Sequence, residues 1–296
     1  MKYTNKLNLP DPIVKAVKWD DYDPGTGDYT PSSLIRPPYM QKLLKMHENK
    51  IVVDVADLLH VMQGKLIHEI LHRFADSEVA EQRVYHQIGR WMISMKYDYL
   101  YLNKKTAILQ DYKYTTTYKF VKDLSGNYPE VPEWEIQLNI GAYILRKKGY
   151  LITKLQIVGL LRDFYKSKAK QGNGYPQHDV IIRDMPVWDD KKVEDYVIEK
   201  AADHDFAKEA PLEDVLPCTD EETWAVPDKW AVMKKGRKSA LKLFDNELAA
   251  KGRVRELGPP AFVEHRPGVR KRCEGYCDVS QFCPDYQKFL GAIINE

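Results

Sequence analysis

The stretch Ala107-Ile108-Leu109-Gln110-Asp111-Tyr112-Lys113 places an acid and a lysine two residues apart at the end of an apolar run. On a strand, residues i and i+2 share a face, so Asp111 and Lys113 point the same way as Leu109, with Ile108 opposite. On an exposed strand such a pair is an ordinary surface feature; at the rim of a core it can serve chemistry. With Lys104-Lys105 as a two-residue turn, Asp98 falls opposite Asp111 across a hairpin. Directly opposed residues have Cβ atoms roughly 4.5–5.5 Å apart, and two carboxylates at that distance repel unless something positive lies between them. A divalent cation does this, since Mg²⁺ takes carboxylates, water and substrate phosphate as ligands. Upstream, Gly64 and His68 lie one helical turn apart. A glycine inside a helix costs about 1 kcal/mol relative to alanine and is expected to mark close approach of another element. His68 would then reach over the sheet to the same cation, whereas His60 and His72 read as ordinary helix histidines. Gln137 and Tyr143 follow on the next helix.

A second group of chemical interest is Cys273-x-x-x-Cys277-x-x-x-x-x-Cys283, followed at once by Pro284, with Cys218 far upstream. Four thiolates can hold a [4Fe–4S] cluster or a tetrahedral Zn²⁺; free thiols are the third reading. Zinc sites usually show two short Cys-x-x-Cys pairs, so one remote cysteine with a close trio favours the cluster. Its role would be structural, clamping the C-terminal region. Lys234, Lys235, Arg237 and Lys238, with Trp224 and Trp230 close in sequence, combine phosphate-neutralising charge with rings for stacking. Arg162 and Lys166 follow the last core strand and are expected to reach the same groove. Any single one of these cations could equally be part of a solvated face.

The elements that would carry these groups are legible in outline. Apolar residues recur at three- and four-residue steps from Asp54 to about Phe74, which predicts a helix. A second helix is expected from Val79 to Ile88. Strands follow at Trp91–Leu102 and Thr106–Tyr118, then a helix over Glu133–Lys147 ending at Gly149, a C-cap. A buried strand lies in Tyr150–Asp163, another strand in Asp179–Trp188, and a helix runs from Asp190 to His204. This order predicts an α/β protein.

With 296 residues, 44% hydrophobic and 30% charged, the chain can bury a sizeable core, and collagen-like or disordered classes are excluded. The formal net charge of +2 hides an acid-rich segment over residues 194–222 and a basic one over residues 229–272. No apolar run approaches the roughly 18–20 residues of a membrane span. The start MKYTNKLNLP lacks the apolar stretch of a signal peptide, so a cytoplasmic protein is expected. In a reducing compartment the cysteines are better ligands than disulfides. The expected division is an arm over residues 1–53, a core over 54–190 and a C-terminal region over 191–296. The arm is turn-rich, with Asp20-Asp21-Tyr22-Asp23-Pro24-Gly25 and Pro37-Pro38.

The ordered set Gly64-x-x-x-His68, Asp98, Asp111-x-Lys113 and Gln137 resembles the RecB-like branch of the PD-(D/E)XK nuclease superfamily over residues 55–165. Leu34-Ile35-Arg36-Pro37-Pro38 and Arg162-Asp163 extend the likeness toward phage-encoded members. The resemblance implies a restriction-endonuclease-like core, a central mixed sheet flanked by helices, and a Mg²⁺- or Mn²⁺-dependent DNA exonuclease of phage or prophage recombination, working in the bacterial host cytoplasm. It implies that His68, Asp98, Asp111 and the Tyr112 carbonyl hold the metal, with Glu81 on a second ion or its water shell. Lys113 would orient or activate the attacking water and stabilise charge on the phosphate, and Gln137 would help position the substrate or the lysine. Arg36, Arg162, Lys166, Lys234, Lys235, Arg237 and Lys238 would bind DNA, single-stranded or at duplex ends, and a recombination or single-strand annealing protein would be a partner. Related families often carry an iron–sulfur cluster with one remote cysteine, although there it precedes the nuclease core and the first spacing is shorter by one. Two further positions depart from the pattern: Gly141 stands where the family has tyrosine after Gln137, and Met95 where it often has glycine. A structure-specific endonuclease and a catalytically silent DNA-binding scaffold are the alternatives.

Overall fold

Along residues 106–115 burial alternates, with Ala107, Leu109 and Asp111 turned inward, as a strand with one face on a core requires. The computed structural model describes residues 2–20, 23, 25–76, 79–104 and 106–294. Asp21, Tyr22 and Pro24 of the expected N-terminal turns, and Lys105 of the expected hairpin turn, lie outside the described residues.

The chain opens with β1 (Lys2–Thr4), α1 (Asp11–Lys18), α2 (Pro31–Ile35), α3 (Pro38–His47) and β2 (Val52–Asp54). A 3-10 turn leads into α4 (Leu59–Arg73), then β3 (Arg83–Ile88), β4 (Trp91–Lys96), β5 (Tyr99–Asn103), β6 (Thr106–Thr115) and α5 (Pro132–Lys147). Next come β7 (Leu151–Leu161), α6 (Lys166–Ala169), β8 (Val180–Met185) and α7 (Asp190–Glu209). The remainder holds α8 (Asp220–Thr223), β9 (Ala225–Val226), β10 (Lys229–Lys234), β11 (Lys242–Phe244) and α9 (Glu247–Leu257). It closes with β12 (Ala261–Arg266), β13 (Val269–Arg270), α10 (Lys271–Gly275) and α11 (Pro284–Ile294). The protein is thus mixed α/β.

Two compact units form: the larger from Lys2–Arg36 with Val52–Glu209, the smaller chiefly from Pro37–Ile51 with Ala210–Glu296. These bounds differ from the expected division. Helix α7 and residues 2–36 belong to the larger unit, and residues 37–51 to the smaller one.

In the larger unit the sheet order is β5-β6-β7-β8, with β6 and β7 parallel and the outer pairs antiparallel. Parallel neighbours need a crossover, and α5 supplies it. Its residues Leu138 to Leu145 are all buried, because the helix touches β6 and β7 as well as α2 and α7. Gly149, at φ +96°, takes the left-handed position just beyond its end.

Three expectations change. The segment from Val79 is not a helix. It is irregular as far as Gln82 and then enters β3, which pairs antiparallel with β4 from Ile88↔Trp91 to Arg83↔Lys96. Val84 and Ile88 are buried, and a four-residue spacing satisfies a strand's period of two as well as a helix turn. The expected strand Trp91–Leu102 divides at Tyr97-Asp98, so that β4 pairs with β3 and β5 with β6. Finally, α4 buries none of its residues, and Leu66 and Ile70 of its periodic apolar set are exposed.

In the smaller unit β10 is the middle strand of an antiparallel sheet, β11-β10-β12, on which α9 packs. Lys234, Lys235, Arg237 and Lys238 are exposed at the end of β10 and in the turn toward β11. Among the described residues no helix is long and apolar enough to cross a membrane.

Candidate metal centre

The inward face of β6 continues from Leu109 through Asp111 to Lys113, so the acid sits under the core's edge and the lysine at its rim. Asp111 is 3% exposed, and Lys113 Nζ lies 2.7 Å from its Oδ2. Apart from that ion pair, Asp111 Oδ2 has no hydrogen-bond partner among the described residues. Gln137 reaches down from α5 and bridges the two side chains. Its Nε2 donates to Asp111 Oδ1 at 3.0 Å, and its Oε1 accepts from Lys113 Nζ at 3.1 Å.

Asp98 arrives from the β4–β5 break. The ladder Tyr99↔Gln110 to Asn103↔Thr106 carries the register that the sequence gives to the hairpin, and Asp98 is the next residue beyond it. Its Oδ2 accepts the Tyr112 N–H at 2.7 Å, which fixes the carboxylate beside β6. Glu81 is brought in by backbone pairing of the segment before β3. Its N–H donates to the Asp98 carbonyl at 3.1 Å, and Leu100 N donates to Val79 O at 2.7 Å. Glu81 has φ +54°, a left-handed conformation that costs a non-glycine residue of order 1–3 kcal/mol and is retained where the surroundings enforce it. Both acids meet His68 of α4: its Nδ1 lies 3.5 Å from Asp98 Oδ1 and 3.6 Å from Glu81 Oε1. Among the described residues His68, Glu81 and Asp98 form a trio whose ligand atoms all lie within 4.8 Å of one another.

The electrostatics follow from crowding charges out of water. Burial pushes the Asp98 carboxyl up to about 7, reinforced by the Asp111 charge and opposed by His68 and Lys113. Burial pushes the Lys113 ammonium down, but Asp111 and Asp98 outweigh it and hold the pKa above the ordinary lysine value. For His68, burial likewise works against the charged form, and Glu81, Asp98 and Asp111 together raise the pKa. Burial would raise Glu81, yet hydrogen bonds to His68 and Lys96 leave its pKa lowered, with Lys96 Nζ at 2.6 Å from Oε2. Clustered oxygen donors, one imidazole and a buried carboxylate oxygen lacking any other partner fit a hard divalent cation.

One cavity of about 500 Å³ gathers His68, Glu81, Asp98, Tyr112, Lys113 and Gln137, along with Trp19, Ser32, Gly64, Lys65, Glu69, His72, Lys96 and Tyr114. Glu81 reaches it from the bend before β3, not from the expected helix. Gly64 admits no neighbouring element, contrary to expectation: a Cβ there would meet nothing within 4 Å. His72 lines the cavity, which sequence reasoning did not anticipate. Lys96 was missed as well, although its place two residues before Asp98 was a usable signal. Arg36, Arg162 and Lys166 are exposed and do not line the cavity. Gly141 and Met95 prove to be reciprocal. A Cβ on Gly141 would lie 2.2 Å from Met95 Sδ, so the methionine fills the space above the glycine. Tyr143 is buried and donates to Glu194 Oε1 at 2.6 Å, away from the cavity.

In the smaller unit, the four cysteines lie within one another's electrostatic reach. Burial, then Glu222 and the three other thiols, pushes Cys218 up to about 12, and burial with Cys277 and Cys283 pushes Cys273 up to about 11. Burial also raises Cys277 and Cys283, against backbone N–H groups that bond their sulfurs. Tyr286 N donates to Cys283 Sγ at 3.4 Å. Trp224 meets Arg272 and Tyr276, and Trp230 stacks on His265.

No protein-family model matches the chain, and no curated protein matches it. Among solved structures, the crystal structure of SSO0001 is similar, with a TM-score of 0.43 at 11% identity, over 69% of this chain and 96% of that one.

Proposed function

We propose that the protein is a divalent-metal-dependent deoxyribonuclease with a PD-(D/E)XK-type core, acting as an exonuclease. The observation that carries this reading is the convergence in one cavity of the His68–Glu81–Asp98 trio with Lys113 and Gln137, both of which contact the buried Asp111. His68, Glu81, Asp98 and Asp111 would hold Mg²⁺ or Mn²⁺. A bound cation would neutralise the phosphate and lower the pKa of an attacking water. Lys113, kept charged by its carboxylate neighbours, acts as a fixed cation that orients water and stabilises charge on the phosphate. Gln137 holds the lysine and Asp111 in mutual register. The Met95–Gly141 exchange leaves this set intact, because it alters packing behind the cavity.

The cysteines are assigned to a [4Fe–4S] cluster. One remote cysteine with a close trio, rather than two short Cys-x-x-Cys pairs, supports the cluster over zinc. DNA is the partner; Arg36, Arg162 and Lys166 are exposed cations of the larger unit, and Lys234, Lys235, Arg237 and Lys238 are exposed cations of the smaller one. A place in phage or prophage recombination in the bacterial cytoplasm follows from the RecB-like motif set alone.

The test is incubation with end-labelled linear and circular DNA in Mn²⁺. Wild type is expected to degrade linear DNA, and Lys113→Ala to lose at least 100-fold of the rate. Absence of cleavage by wild type, or full activity in Lys113→Ala, would overturn the reading. Efficient cutting of closed circles would turn exonuclease into endonuclease.

A further inference from the structure

We propose that Trp19 is a base-stacking platform that receives an unpaired DNA strand at the mouth of the carboxylate–lysine cavity. The proposal rests on the nuclease reading above and specifies how its substrate is held. Trp19 follows α1 and lines the same cavity as His68, Asp98 and Lys113. The residue is 43% exposed, although an indole is a costly group to leave in water. The chain has six tryptophans, and the other five each meet another ring or a cation. Trp91 lies under Arg90, Trp134 against Phe120, Trp188 against Tyr196, Trp224 against Tyr276, and Trp230 against His265. Among the described residues the Trp19 ring has no such partner.

Its backbone is nonetheless anchored. Lys65 Nζ donates to the Trp19 carbonyl at 2.8 Å and lies 3.0 Å from Asp20 Oδ1. Lys65 belongs to α4, three residues before His68, so the Trp19 backbone is tied to the helix that presents the imidazole. Gly64, beside that tether, adds no side chain to the rim. A cavity of about 500 Å³ has the scale of a small-molecule cleft and is too small to admit a double helix. Bases inside a duplex already stack on both faces; an unpaired base has a face to offer an aromatic ring. An indole held at the rim therefore selects the strand with exposed bases, while the charged groups below engage its backbone.

The experiment measures binding of a short fluorescein-labelled oligothymidylate by anisotropy in Ca²⁺, a hard cation that takes carboxylate oxygens. Trp19→Ala and Trp19→Leu are expected to weaken binding about 5- to 100-fold, and Trp19→Phe to restore most of it. An abasic strand with the same phosphates is expected to bind wild type and Trp19→Ala alike. Equal oligothymidylate binding by wild type and Trp19→Ala, or equal loss on the abasic strand, overturns the proposal. Failure of wild type to cleave DNA in Mn²⁺ would instead remove the nuclease reading, which the binding assay does not depend on.

Discussion

Gln137 makes its two contacts with opposite ends of one amide, so Asp111 and Lys113 cannot rotate independently while it is in place. Gln137→Ala removes that constraint without removing a charge. The expected result is a kcat lower by about 10- to 100-fold, with Mn²⁺ affinity by calorimetry nearly unchanged. A wild-type kcat would separate Gln137 from the reaction. A second residue-scale prediction concerns His204 and Asp205 on α7. Burial depresses the His204 pKa, its Nε2 facing the Leu34 carbonyl at 3.3 Å. The unfolded chain therefore binds this proton first, and stability falls as pH drops below about 6.5. Burial works against the Asp205 carboxylate, but hydrogen bonds from Tyr29, Trp91, Arg90 and Lys208 outweigh it and hold its pKa well below the usual range. Its contribution is complete above about pH 4 and is lost on further acidification. Asp205→Asn should reduce stability at neutral pH by about 1.5–3 kcal/mol and flatten the acidic limb of a melting-temperature profile. An unchanged acidic limb would show that the four hydrogen bonds do not govern it.

At the scale of elements, the β4–α5 contact makes a specific prediction. Alanine at Gly141 would gain about 1 kcal/mol of helix propensity, but its Cβ would meet Met95 Sδ and Cε at 2.2 and 2.6 Å. Met95 is itself buried and cannot swing into solvent. Gly141→Ala should therefore lose about 1–2 kcal/mol overall. In a Met95→Ala background the same change should become neutral or stabilising, since the obstacle is gone. Additive effects in denaturant titrations would mean that the two positions do not compete for space. The exchange was visible in the sequence only as two separate oddities. Its meaning needed the crossing of β4 and α5, which no local pattern encodes. By contrast, the hairpin register between Asp98 and Asp111 was legible because turn length fixes strand pairing. Likewise α5 and β7 were legible because both are long and strongly apolar. The Val79–Ile88 segment was not, since Val84 and Ile88 are spaced for either a helix or a strand, and Glu81's left-handed backbone has no glycine to announce it.

At the scale of the molecule, the two chemistries occupy different compact units. Every residue of the carboxylate–lysine cavity lies within Lys2–Arg36 and Val52–Glu209, and all four cysteines lie within Ala210–Glu296. On the cluster reading, gathering four partly buried thiols costs free energy that a ligated iron core would offset, because metal–sulfur bonds would replace the thiol protons and neutralise thiolates that would otherwise repel. Loss of one ligand should therefore loosen the smaller unit and leave the larger one able to bind metal. For Cys218→Ser purified anaerobically, the expected result is loss of iron, sulfide and the broad visible absorbance of a cluster. Faster proteolysis within residues 210–296 should accompany it, at unchanged Mn²⁺ affinity in calorimetry. The remote cysteine is the informative one to replace, since on the cluster reading it would join Thr219–Trp224 to the trio near α11, which a three-cysteine site would not require. Wild type containing one zinc and no iron would replace the cluster with a tetrahedral site. Protection from proteolysis that survives Cys218→Ser would show that the thiols do not hold this unit together.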